Sequence, residues 1–317
     1  MAKYDSIHGT TVRSYTTDPD TLITGHVWYD KTAKTLQYQS ETTAGAWSSG
    51  GNMNTGRASL GGAGTQTAGL AFGGVSPETD KNESYNGSAW TEIADLQQVG
   101  TKMIGFGTST AAICCGGDIS NSYSDRSETW DGSSWSEGNN LNQARNEIGA
   151  VSGTTTAGLV FGGQGPPPGM QDATESYNGT SWTEVSDLNT ARYALMGAGT
   201  TTAGLAFGGN VDPGDKGETE SWNGSSWTEV NDLNTGDAQG AGFGTATAAL
   251  AVKQSTTEQF NGTSWTEVAD TATPRGSLQA AKSGTTTAGL VFGGDSNTAA
   301  TEEWNAPTLA TKTVDTD

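Results

Sequence analysis

Four arginines, Arg57, Arg145, Arg192 and Arg275, each stand ten residues after a tryptophan. Six glutamates, Glu83, Glu128, Glu175, Glu220, Glu258 and Glu302, each stand two residues before an aromatic residue that recurs with the same period. Residues two apart on a strand share a face, and a guanidinium forks well onto a carboxylate. Two chemistries are open for this set. The arginines and glutamates can pair with each other between repeats, or the arginines can form a binding ring that grips a carboxylate or an acidic sugar. Asp95, Asp187, Asp232 and Asp270, each five residues after a tryptophan, read as turn-stabilising side chains.

Other reactive groups are sparse. The two histidines, His8 and His26, lie outside the repeats, so a copper centre has no ligand set and no metal or other cofactor is expected. Cys114 and Cys115 are neighbours on one strand and point to opposite faces, which makes them two small buried apolar residues rather than a disulfide. The carboxylates occupy repeated positions, whereas a catalytic site breaks such symmetry, and no enzyme activity is expected. The N-x-S/T sequons at Asn86, Asn178, Asn223 and Asn261 fall on tight turns and need no glycan to explain them.

These residues are positioned by a repeat of about 40–50 residues, which overrides the two-domain prior of a 317-residue chain. One unit runs GTTTAGLAFGG, a variable loop, TESWNGSSWTEV, then DLNT. Gly-Gly pairs fall at 73–74, 116–117, 162–163, 208–209 and 293–294, and the fifth unit has Lys253-Gln254 instead. An aromatic residue followed five positions later by Trp recurs from Tyr85/Trp90 to Phe260/Trp265 around Asn-Gly or Asp-Gly, the signature of a hairpin. Four short strands per unit make a propeller blade, so the fold class is all-β. The 46 glycines and 10 tryptophans give packing capacity to a chain that is only 32% hydrophobic.

Over residues 46–305 these landmarks resemble the kelch family, which implies a β-propeller. The last unit has its third-strand aromatic, Trp304, without a following Trp; Trp47 in AWSSGG supplies one from the other end of the chain. The expectation is a six-bladed kelch-like propeller closed by the N-terminal strand. The alternative is seven blades, with TLQYQ and AWSS as third and fourth strands of the extra one. The expected organisation is an N-terminal arm (1–22), a β-hairpin and linker (23–45), the propeller (46–305) and a C-terminal tail (306–317). The hairpin, HVWYDKTAKTLQYQ, carries Trp28, Tyr29 and Tyr38 as candidate attachment residues.

The polar arm, the VWYD…TLQYQ hairpin, GAWSSGG, NMNTGR and TEEW together resemble kelch-like structural proteins of tailed phages of marine bacteria. That resemblance implies a virion component at a tail, fibre, neck or capsid-surface position, made in the host cytoplasm and present in many copies. Its partners would be other virion proteins and a host-surface glycan or receptor. A sialidase-type site is the enzymatic competitor, but WDGSSW lacks the Asp-box spacer. The formal charge of −20 disfavours nucleic acid and anionic membranes, no apolar run is long enough to span a bilayer, and no secretory signal is evident at the N-terminus. Variable loops such as DISNSYSDR and QGPPPGMQDA share the face of the inter-blade links, and that face is the expected contact surface.

Overall fold

A computed structural model describes residues 13–16, 26–43, 45–75, 78–167, 169–254 and 256–314. The chain divides into two compact units, Ala46–Asn305 and a second made from Met1–Gly45 with Ala306–Asp317.

Ala46–Asn305 contains six four-stranded antiparallel sheets, a propeller-like all-β arrangement. Sheet I comprises Gly61–Thr65, Ala68–Phe72, Asn82–Tyr85 and Trp90–Ile93. Sheet II comprises Ile104–Thr108, Ala111–Cys115, Ser127–Trp130 and Trp135–Glu137. Sheet III comprises Gly149–Ala150, Gly158–Phe161, Thr174–Tyr177 and Trp182–Glu184. Sheet IV is built from Met196–Thr200, Ala203–Phe207, Thr219–Trp222 and Trp227–Val230, and sheet V from Ala241–Thr245, Ala248–Val252, Thr257–Phe260 and Trp265–Val268. Sheet VI takes Gln279–Ala280, Ala288–Phe292 and Thr301–Asn305 from one end of the repeat region and Ala46–Ser49 from the other, with Trp47 opposite Trp304.

The turns follow from their residues. At each Asn-Gly or Asp-Gly turn the Asn or Asp side chain accepts the N–H groups two and three residues on, as Asn223 Oδ1 does from Ser225 and Ser226 at 2.9 and 3.0 Å. The sequon asparagines are thus used as Asx turns. The Gly-Gly pair has a steric cause as well. Gly73 and Gly74 have φ of +64° and +103°, and a Cβ on either would come within 2.8 Å of a backbone carbonyl oxygen.

Packing joins the sheets through six apolar clusters, each shared by two sheets: I with II, II with III, III with IV, IV with V, V with VI, and VI with I. In four of the six the anchor is a second-strand Phe against the fourth-strand Trp of the next sheet. Phe72–Trp135, Phe161–Trp227, Phe207–Trp265 and Phe292–Trp90 all lie within about 5 Å, in edge or tilted geometry. The first strands pack in chain order, and that of sheet VI packs against that of sheet I.

The other unit is a four-stranded sheet ordered Ser14–Tyr15, Val27–Asp30, Thr35–Thr43, Thr308–Thr313. The hairpin is present, with Val27–Asp30 antiparallel to Thr35–Thr43 around Lys31–Lys34. Two expectations are corrected. Residues 306–317 are not merely a tail, because Thr308–Thr313 hydrogen-bonds along Thr35–Thr43. The TLQYQ segment pairs with that strand and with Val27–Asp30, whereas AWSS pairs with Thr301–Asn305, so the two do not form the neighbouring strands of a seventh blade. Of the expected arm, Ser14–Tyr15 forms a short parallel strand on Val27–Asp30; residues 1–12 and 17–22 lie outside the described residues.

Candidate functional site

The arginines expected to ring a channel mouth do not face solvent. Arg57, Arg145 and Arg192 are 0% exposed and Arg275 is 4% exposed. Each enters with the link that leads into a sheet and pairs with the third-strand glutamate of that sheet: Arg57–Glu83 at 2.9 Å, Arg145–Glu175 at 2.8 Å, Arg192–Glu220 at 2.9 Å, and Arg275–Glu302. Further donors reach backbone carbonyls, as Arg57 Nη1 does to Gly73 and Lys81, both at 2.8 Å, while the Nε of Arg57, Arg145 and Arg192 and the Nη2 of Arg275 are buried without an acceptor. Burial pulls Arg57 and Arg192 below the usual guanidinium range, opposed by Glu83 and Glu220. The binding-ring expectation is therefore overturned in favour of structural pairing. A guanidinium buried within a sheet and already paired with a carboxylate is out of reach of a ligand at a channel mouth.

The second oxygen of each glutamate holds the link itself. Glu83, Glu175, Glu220 and Glu258 each accept from both the backbone N–H and the side-chain amide of an asparagine, namely Asn54, Asn142, Asn189 and Asn234, at 2.7–2.9 Å. Asp95, Asp187, Asp232 and Asp270 accept the N–H of the first third-strand residue, across thirteen positions of chain, which ties the outer hairpin.

Sheets II and V depart from this pattern. In sheet II the arginine position is Gly100, and Glu128 accepts from Gln97 N–H at 2.9 Å. Burial raises its pKa, with the N–H groups of Gln97 and Gln98 and the charge of Arg126 opposing. In sheet V the arginine position is Asp237, and the cation comes instead from Lys253, where other units have the first glycine of the pair. Lys253 Nζ contacts Glu258 and Thr235 O, restoring the buried ion pair from just after the second strand rather than from the link.

At the position two residues after the arginine stands a group that sequence reasoning passed over: Ser59, Lys102, Glu147, Ala194, Gln239 and Ser277. All six have positive φ, from 50° to 61°, although none is glycine, a conformation uncommon for such side chains. They are linked head to tail. The N–H of Lys102 donates to Ser59 O, Glu147 to Lys102, Ala194 to Glu147, Gln239 to Ala194, and Ser59 to Ser277 O, at 2.7–3.2 Å. Ser277 Oγ to Gln239 Oε1 at 3.3 Å completes the circuit. The only signal in the sequence was a fixed offset from the preceding tryptophan; the residue types differ in charge and size, so no motif marks them.

This collar is the rim of a cavity of about 70 Å³ with apolar walls that include Leu60, Met103, Ile148, Leu195 and Leu278. The far side is obstructed. Ser152, on the first-strand side of sheet III, donates its hydroxyl to Lys282 O of sheet VI, and Ser283 donates to Gly64 O and Gly107 O of sheets I and II. Lys282 lines the cavity and is 2% exposed. Lys102 on the rim pairs with Glu147 at 3.1 Å and lies 3.8 Å from Asp118.

The variable loops lie beside this rim. At four of the six rim positions the preceding residue bridges to the first residue after a Gly-Gly pair: Ala58 to Val75, Thr101 to Asp118, Asn146 to Gln164, Tyr193 to Asn210. Two loops carry their own short hairpins, Asp118–Ile119 with Ser122–Tyr123 and Gln164–Gly165 with Gly169–Met170.

In the terminal sheet, the three candidate attachment residues differ in access. Tyr29 is 38% exposed and Tyr38 is partly exposed, but Trp28 is buried and cannot offer its ring to a partner. Cys114 and Cys115 are free and buried, with burial pushing both thiols up. Among the described residues no group of three or more His, Cys, Asp or Glu is arranged to hold a metal ion. Comparison with protein-family models and with curated protein sequences finds no match.

Proposed function

We propose that Ala46–Asn305 is a six-bladed kelch-like β-propeller closed by Ala46–Ser49, and that the chain is a non-enzymatic structural protein of a tailed-phage virion. The ring reading is supported by the head-to-tail hydrogen bonds of the six rim residues and by the cluster that sheets VI and I share. The binding role is carried by one observation. The repeated charges are taken up inside the sheets, so chemical individuality is left to the rim and the loops beside it. The virion assignment rests on the resemblance of GAWSSGG, NMNTGR, TEEW and the hairpin to phage structural proteins. In that setting the terminal sheet attaches the chain to other virion proteins through a surface including Tyr29, and the loop face meets a host-surface glycan or receptor.

Antibody labelling and quantitative mass spectrometry of purified particles test this reading. The chain is expected at many copies per particle, with incorporation reduced several-fold by Tyr29→Ala. Its absence from particles, with the purified chain remaining a free monomer, would favour a cellular interaction scaffold.

A further inference from the structure

We propose that the rim cavity is a binding site for a carboxylate group, anchored by the ammonium of Lys282 and selected by the unlike residues of the rim. Lys282 is the observation that demands an explanation. Its side chain is buried, its ammonium donates to Gly242 O at 3.3 Å, and among the described residues it has no carboxylate partner. The contrast with Lys253 is direct, since that equally buried ammonium contacts Glu258. A buried cation without a counter-charge is costly, and here it lines a cavity that opens at the rim. An anion entering the cavity would supply the missing charge.

Size and charge narrow the ligand. A cavity of about 70 Å³ is roughly half of one that accepts benzene, enough for a carboxylate and its adjoining carbon. Lys282, Lys102 and Glu147 are the charged residues lining it, a local excess of one positive charge in a chain of net charge −20. The remainder of a larger ligand would lie across Ser59, Gln239 and Ser277, whose hydroxyl and amide groups suit an acid bearing hydroxyls. Free small acids and the carboxylate of an acidic sugar present the same anchoring chemistry. The site does not depend on the virion reading and can fail or stand separately from it.

Lys282 also supplies the readout. Burial lowers its pKa to about 8, so the free site loses its charge between pH 7 and 9. A bound anion favours the protonated form and moves that titration upward. The experiment is a pH titration of lysine Cε resonances in the ¹³C-lysine-labelled full chain, with added sodium acetate, sodium glucuronate, or sodium chloride at matched ionic strength. The expected result is an upward shift of the Lys282 titration by acetate or glucuronate but not chloride. Affinity should be about thirtyfold weaker at pH 9.5 than at pH 6.5, the ratio of protonated fractions for that pKa. Preference for glucuronate would assign the sugar acid, and preference for acetate the small acid. Lys282→Met should abolish binding while keeping the apolar stem. A wild-type Lys282 resonance indifferent to both carboxylates, or one moved equally by chloride, would overturn the proposal whether or not the variant folds.

Discussion

A carboxylate removed from water destabilises a fold unless a cation and N–H donors compensate it, and removing one member of such a pair leaves the other charge stranded. Glu175 and Glu128 occupy the same position in adjacent sheets, and only Glu175 has a buried arginine partner. Glu175→Gln should therefore cost about 3–5 kcal/mol, because Arg145 is left uncompensated. Glu128→Gln should change stability by less than about 1 kcal/mol at pH 7, because it removes a charge that burial already disfavours. Urea denaturation of both variants checks this, and equal losses would contradict the structural assignment of the arginines. The pairing partners were legible in the sequence, since both residue types recur in phase with the aromatics. Their burial was not. The offset from Trp locates Arg57 on a link but does not say whether its side chain turns into the sheet or toward the axis. The rim residues were illegible for a different reason: backbone conformation defines them, and Ser, Lys, Glu, Ala and Gln share no chemistry.

At the scale of one element, sheet V keeps its electrostatics while its signature changes. The second glycine of the other pairs donates its N–H to the carbonyl at the arginine position of the next link, as Gly163 does to Arg192 O at 2.8 Å. In sheet V the corresponding Gln254 N–H instead contacts Asp237 Oδ2 at 3.3 Å. Arg→Asp and Gly→Lys thus act as one exchange, with Lys253 serving Glu258 in place of an arginine. Lys253→Gly alone should cost about 3–5 kcal/mol by stranding Glu258, and Lys253→Gly/Asp237→Arg should recover more than half of that loss. A double-mutant cycle measures the coupling, and simple additivity would refute the exchange. The loss of Gly-Gly was visible in the sequence as a defect; its compensation was not, because the replacement cation follows the second strand instead of standing in the link. The strand Thr308–Thr313 escaped notice similarly. TLATKT has no strong apolar alternation, and its partner Thr35–Thr43 lies at the other end of the chain.

At the scale of the molecule, the Phe–Trp contact that joins sheets I and II, III and IV, and IV and V also joins the last to the first, through Phe292 and Trp90 at 5.0 Å. Two polar bonds reinforce that junction, Trp90 Nε1 to Thr301 Oγ1 at 2.9 Å and Tyr85 Oη to Glu303 Oε1 at 2.6 Å. The proposed closure would cover the first-to-last seam against other chains and hold the rim and its loops on one frame. The pairing of Ala46–Ser49 with Thr301–Asn305 was legible because Trp304 lacks a following Trp and Trp47 lacks a preceding repeat unit. The obstruction by Ser152, Lys282 and Ser283 was not, because it depends on residues just after the first strands meeting across the interior. The most direct test of the account is closure itself. Ala46 and Asn305 face each other on paired strands and are both exposed, at a Cα separation of about 4.5–5.5 Å that suits a disulfide. Cys114 and Cys115 are buried, with thiols held protonated by that burial, and so do not compete. Oxidation of Ala46→Cys/Asn305→Cys is predicted to give an intramolecular crosslink in the folded monomer and a higher melting temperature. Crosslinking only between chains, or none in the folded state, would contradict it.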